Sequence, residues 1–200
     1  MNIIQIDPNC EYICSSYSSC SGFTSLMYLV CNTRENPEYL EQIKYILDNY
    51  LEELNKQNAL NFTPIMLAVM NYNTNSTLET VNLLLEYKPD LNIIGYGDCT
   101  VIERFILNEQ DYSMIKLLLD HGADINRTDL SKKNILMYLS SRHDAYEKIK
   151  FFLENSDIDI YYKKYIHDKT IYEYILERED NKLINLMDTY NNLDIKCALD

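Results

Sequence analysis

Six cysteines and three histidines are the side chains of this 200-residue chain best suited to metal or thiol chemistry. Cys10, Cys14 and Cys20 gather near the N-terminus, Cys31, Cys99 and Cys197 stand apart, and the histidines are His121, His143 and His167. A structural zinc ion takes four thiolate or imidazole ligands, usually led by two cysteines with two to four residues between them. Cys10 and Cys14 have that spacing, but no second pair follows and no histidine is near. The opening MNIIQIDPNC lacks the basic stretch and unbroken apolar run of an export signal, so the thiols are expected to be reduced. Gly95-Tyr96-Gly97 is too short to cradle a phosphate, and Glu52-Glu53 and Glu177, Glu179 and Asp180 read as solvated helix faces. With no nucleophile set beside a base, no enzyme, metal or cofactor is expected.

What remains is the question of which elements carry these residues. Glycine and proline number only four each and 46% of the residues are apolar, which favours a folded helical chain over turn-rich β structure. The formal charge of −13 repels phosphate backbones and anionic lipid, and the basic pairs Lys132-Lys133 and Lys163-Lys164 do not grow into a patch. No run approaches the roughly 18 apolar residues of a membrane helix. A cytoplasmic protein with neither nucleic acid nor membrane as partner is expected.

One pattern is written five times: FTSLMYLV from Phe23, FTPIMLAV from Phe62, CTVIERFI from Cys99, KNILMYLS from Lys133 and KTIYEYIL from Lys169. Their second residues, Thr24, Thr63, Thr100, Asn134 and Thr170, recur at intervals of 39, 37, 34 and 36. Threonine and asparagine oxygens can accept the unpaired N–H groups of a helix's first turn, so each marks a helix start. Pro64 follows at a first helical position, where its missing N–H is harmless. The slot before each start varies as Phe23, Phe62, Cys99, Lys133 and Lys169, so Cys99 is a variable repeat position and not a reserved nucleophile.

A second apolar set follows each start at helical spacing: Ile43, Ile46, Leu47; Val81, Leu84, Leu85; Ile115, Leu118, Leu119; Ile149, Phe152, Leu153; and, in a shorter last copy, Ile184 and Met187. Positions i, i+3 and i+4 share one helix face, which a neighbour must cover. Burying each such side chain contributes about 1.5–3 kcal/mol, so stacked helix pairs can hold where a single pair cannot. Gly122, just past the third second helix, suits a left-handed backbone. From cap to last apolar residue the first two units need 23 and 22 residues and the next two 19 each, which puts longer links in CNTRENPEYLEQ and MNYNTNSTLETV. Neighbouring units would set these two links side by side.

FTPIMLAV resembles the TPLHLAA segment of ankyrin repeats, and LLLDHGADIN is similar to their LLLxxGADVN segment, with LLLEYKPDLN a weaker copy. The resemblance covers roughly residues 20–190. It implies an all-α ankyrin-repeat solenoid of about five helix-turn-helix units with short extended connectors, near 21–58, 59–95, 96–129, 130–165 and 166–190. Residues 1–20 are then an N-terminal cap segment and 191–200 a tail. The family histidine is replaced by Met27, Met66, Glu103, Met137 and Glu173, so its hydrogen bonds are expected to be lost, and the family glycine survives only as Gly122. Abundant Tyr, Asn, Ile and Lys, with NYNTNSTLETVNLLL, resemble the ankyrin proteins of amoeba-infecting giant DNA viruses.

The resemblance implies a monomeric, non-catalytic protein-binding module, with a host protein as partner and host cytoplasm as location if the source is viral. A substrate-recruiting adaptor for a ubiquitin ligase supplied by another chain is the alternative. The family holds partners on connector fingertips and the first-helix face. By register these are Met70 and Asn71, Leu107 and Asn108, Ser141 and Arg142, Glu177 and Arg178, with fingers contributing Tyr96, Leu130, Tyr161, Tyr162 and Tyr165. Tyrosine and arginine are over-represented among interface hot spots.

Overall fold

A computed structural model describes residues 22–108, 111–130, 133–140, 142, 145–160, 163–164 and 169–197. The chain divides into two compact parts, Met1–Ala123 and Asp124–Asp200. The first contains α1 (Ser25–Val30), α2 (Tyr39–Asn49), a 3-10 turn (Leu51–Asn55), α3 (Pro64–Asn71), α4 (Leu78–Glu86), α5 (Val101–Asn108) and α6 (Tyr112–Asp120). The second contains α7 (Ile135–Leu139), α8 (Ala145–Asn155), α9 (Ile171–Glu177) and α10 (Asn181–Cys197). Two strands of two residues each, β1 (Lys163–Lys164) and β2 (Lys169–Thr170), form an antiparallel ladder between α8 and α9. The architecture is the expected all-α repeat of helix pairs.

All five expected caps are in place. Thr24, Thr63, Thr100 and Thr170 Oγ1 and Asn134 Oδ1 accept the backbone N–H three residues on, at 3.4, 3.4, 3.5, 3.2 and 3.1 Å. Each such bond stabilises its helix by about 1 kcal/mol. The loss expected where the family histidine is missing is made good at two positions. Glu103 Oε2 accepts the Thr100 N–H at 2.8 Å and Glu173 Oε2 the Thr170 N–H at 2.7 Å, so each cap is bonded in both directions.

Within the first part, α1 packs on α2 and α3, α3 on α4 and α5, and α2 on α4. Within the second, α7 packs on α8 and α9, and α10 on α8 and α9. The second-helix stripes meet there: Ile43, Ile46, Leu47, Val81, Leu84, Leu85, Ile115, Leu118, Ile149 and Phe152 are buried. Leu119 and Leu153 are only half-buried. In the last copy Met187 is buried as expected and Ile184 is not. Leu183, Leu186 and Met187 form the buried i, i+3, i+4 face and Ile184 is half-buried, because α9 ends one residue sooner after its cap than α5 does, and a link of the same three residues then starts α10 one residue earlier.

Connectors alternate inward and outward, burying Leu91, then Ala123 and Ile125, then Ile158 and Ile160. Asparagines at one register tie each connector to the next. Asn55 Oδ1 accepts the Asp90 N–H at 3.0 Å, and Asn92 Nδ2 donates to the Gly122 carbonyl at 3.2 Å. Asn126 bonds both Asp157 O and Asp159 N, at 2.9 and 2.7 Å. α10 runs through Cys197, into the stretch expected as a tail. Residues 1–20, the expected N-terminal cap, lie outside the described residues.

Candidate binding surface

The turns before α3, α5 and α7 are built alike. A backbone N–H reaches the carbonyl four residues on, from Asn58 to Phe62 at 3.0 Å, Gly95 to Cys99 at 2.9 Å and Asp129 to Lys133 at 3.0 Å. Two residues before the cap the backbone is left-handed, at Gly22 (φ 74°), Asn61 (φ 60°) and Asp98 (φ 60°), residue types that tolerate it. These turns are fingers that project from the ends of the first helices.

The second and third fingers are fastened together. Gln57 Nε2 donates to Asn61 O at 2.8 Å and to Ile94 O at 2.9 Å. The Phe62 and Tyr96 rings lie 6.1 Å apart, and the Arg104 guanidinium stacks over both, 5.1 and 5.4 Å from their centroids. Arg104 also donates to the Tyr96 carbonyl at 3.1 Å. Gly95 is required here, since a Cβ would stand 2.7 Å from Met66 Sδ and 3.1 Å from Asn61 O. Tyr96 is thus held from behind while 53% of its surface stays open, beside an equally exposed Ile94.

In the second part Leu130 is 90% exposed on a finger whose Asp129 accepts the Tyr138 hydroxyl and, at 2.8 Å, the Lys133 N–H. Lys133 Nζ lies 5.3 Å above the Tyr138 ring.

Of the positions inferred from register, Met70 is exposed at the end of α3 and Leu107 is half-buried at the end of α5. Asn71 is half-buried. Its Nδ2 bonds Leu67 O at 2.8 Å and its carbonyl collects the N–H groups of Thr74, Asn75 and Ser76, because the helix must turn into its link there. Arg142 is half-buried, Glu177 is exposed but paired with Lys169 at 2.5 Å, and Arg178 is exposed as the C-cap of α9. Asn108 ends α5, and its side chain lies outside the described residues, as do Ser141, Tyr161, Tyr162 and Tyr165. Sequence reasoning missed Arg104, Tyr138 and Tyr174, which share the register four residues after the cap and are half-buried or exposed. That column is visible in the alignment of the five copies, as Tyr28, Leu67, Arg104, Tyr138 and Tyr174.

The opposite edge is bonded to itself. The longer links lie together, Arg34 donating to Tyr72 O at 2.8 Å and to Asn75 O at 3.1 Å, and Thr80 Oγ1 to Thr33 Oγ1 at 2.7 Å. The Tyr72 hydroxyl donates to Asp111, which also caps α6 by accepting Ser113 and Met114 N–H, and the tyrosine bond holds the Asp111 carboxyl below its ordinary pKa. Tyr87 donates to Asp48 at 2.5 Å, and that bond pushes its phenol up to about 12.

Little here offers reaction chemistry. Among the described residues no three His, Cys, Asp or Glu side chains gather as a metal would require. Cys99 Sγ donates to Gly97 O at 3.4 Å, and His121 Nδ1 sits 2.8 Å from Leu117 O at the end of α6. Cys10, Cys14, Cys20, His143 and His167 lie outside the described residues. No helix among the described residues is long and apolar enough to cross a membrane.

A family model described as ankyrin repeats, in three copies, matches residues 26–129, just over half the chain. The chain is similar to ankyrin repeat protein L86 of Acanthamoeba polyphaga mimivirus, 28% identical over 68% of this chain and 27% of that protein. It is similar to protein L88 of the same virus, 31% identical over 44% of this chain and 10% of that protein. It also resembles ankyrin repeat protein FPV244 of fowlpox virus, 35% identical over 40% of this chain and 11% of that protein. The matched stretch thus spans about a quarter or less of these relatives.

Proposed function

This chain belongs to the ankyrin-repeat family, whose arrays are protein-interaction modules, and we propose that it binds a partner protein non-catalytically through its fingers and first-helix face. The observation that carries this reading is Tyr96, a half-exposed aromatic locked in place by Phe62, Arg104 and Gln57-bridged fingers. A contact residue ordered before binding loses less side-chain freedom on association, which favours affinity. In the second part, exposed Leu130 stands at the Tyr96 register and exposed Tyr138, on α7, at the Arg104 register. The viral origin of its relatives supports a host protein as the partner.

Capture from a host-cell extract with the tagged full chain tests this. Tyr96→Ala and Leu130→Ala should each lower recovery of the partner about ten-fold or more, as hot-spot truncations do, while leaving the melting temperature within a few degrees. Recovery unchanged by both substitutions contradicts the surface. Co-recovery of ligase subunits that depends on Tyr96 identifies the adaptor form of the same function.

A further inference from the structure

We infer that the face formed by the second and third fingers takes an uncharged segment of its partner, apolar side chains interspersed with amides, and not a basic one. This rests on the binding reading above and adds the chemistry of the occupant. In a chain of net charge −13, the stretch from Gln57 to Leu78 contains no Asp, Glu, Lys, Arg or His, and neither does Leu91 to Gly97. Those stretches form both fingers and α3. Exposed Asn61, Ile94 and Tyr96 therefore present an amide, an aliphatic chain and an aromatic ring.

Arg104, over the Phe62 and Tyr96 rings, and Asp98, in the third finger, are opposite and add no net charge to the face. Lys56, beside Gln57, is bonded to Glu53 at 2.5 Å. The exposed carboxylates of this part include Glu41 and Asp48 on α2 and Glu79 and Glu86 on α4, the second helices. Salt at physiological strength screens such charges over about 8 Å. A lysine brought onto the finger face would lose its hydration and find there Asp98, a carboxylate already offset by Arg104, which disfavours it. A charge-poor surface with an exposed tyrosine has the composition of an interface core.

The test is an NMR titration of the full chain with three blocked peptides of equal length. One is built of Leu, Tyr, Ser and Asn, one has its serines replaced by lysine, and one has them replaced by glutamate. The neutral peptide should shift amides at residues 57–62 and 94–97 saturably. Its affinity should change less than about two-fold between low and high salt, because no charge pairing is involved. Tyr96→Ala should weaken it about ten-fold or more. The lysine peptide should instead shift α2 and α4 amides, in a salt-sensitive way. Tighter binding of the lysine peptide on the finger face overturns the chemistry and leaves the face standing. Absence of neutral-peptide shifts at the fingers, or their appearance on the second helices, overturns both.

Discussion

Replacing Lys88 by glycine should make the protein more stable although it deletes a charged side chain. Lys88 follows the C-cap of α4 with φ 57°, at the register where the next unit places Gly122 with φ 92°. Its N–H reaches Leu85 O at 3.0 Å, a bond that glycine keeps. A left-handed conformation costs an L-residue about 1–2 kcal/mol. Glycine escapes that cost but loses about 0.5–1 kcal/mol more backbone entropy on folding. The difference leaves a gain of about 0.5–1 kcal/mol, or about 2–4 °C in melting temperature for each kcal/mol at this chain length. Urea unfolding followed by circular dichroism measures it. Lys88→Ala is the control, since it removes the same side chain while keeping the strain, and should leave the midpoint nearly unmoved. An alanine variant as stabilised as the glycine variant would refute the backbone argument. So would a glycine variant weaker than wild type.

Other outcomes follow from the same geometry. The folded pKa of Asp111 is depressed, so its contribution is present above the ordinary carboxylate pKa of about 3.9 and is lost as pH falls through the folded value. Asp111→Asn should therefore lower the stability measured by urea unfolding at pH 7, by well under about 1 kcal/mol given its partial exposure, with the deficit shrinking as pH falls below about 3.9 toward the depressed folded value. Gly95→Ala should cost about 1–3 kcal/mol in thermal unfolding, because the new methyl meets Met66 Sδ and Asn61 O, and adding Met66→Ala should recover no more than part of it.

The helix starts were legible because a cap is a local contract between one oxygen and an N–H three residues on, as at Thr63 and Asn134. The stripes of the first four units were legible because apolar residues at i, i+3 and i+4 mark one helix face whatever the length of the link before it. The fifth slipped at Ile184, since a first helix shorter by one residue moves the start of the second and so changes which residues face inward without changing their apolar character. The left-handed backbone at Lys88 had no signal of its own, because lysine is not a residue that advertises it. Pairs such as Tyr87 with Asp48 join residues 39 apart, and only the stacking of units brings them together. For the candidate surface, register found Tyr96 and Leu130 but not what holds them. Arg104 occupies a position where the other copies have tyrosine or leucine, and its stacking on Phe62 and Tyr96 depends on where two fingers meet.

The most direct measurement is hydrogen exchange of the full chain alone and in complex with a captured partner, read amide by amide. Binding at the fingers should slow exchange at residues 57–62 and 94–99 and at the exposed ends of the first helices, with α2 and α4 unchanged. Protection confined to the second helices, or to the Thr33–Thr80 link edge, would contradict it.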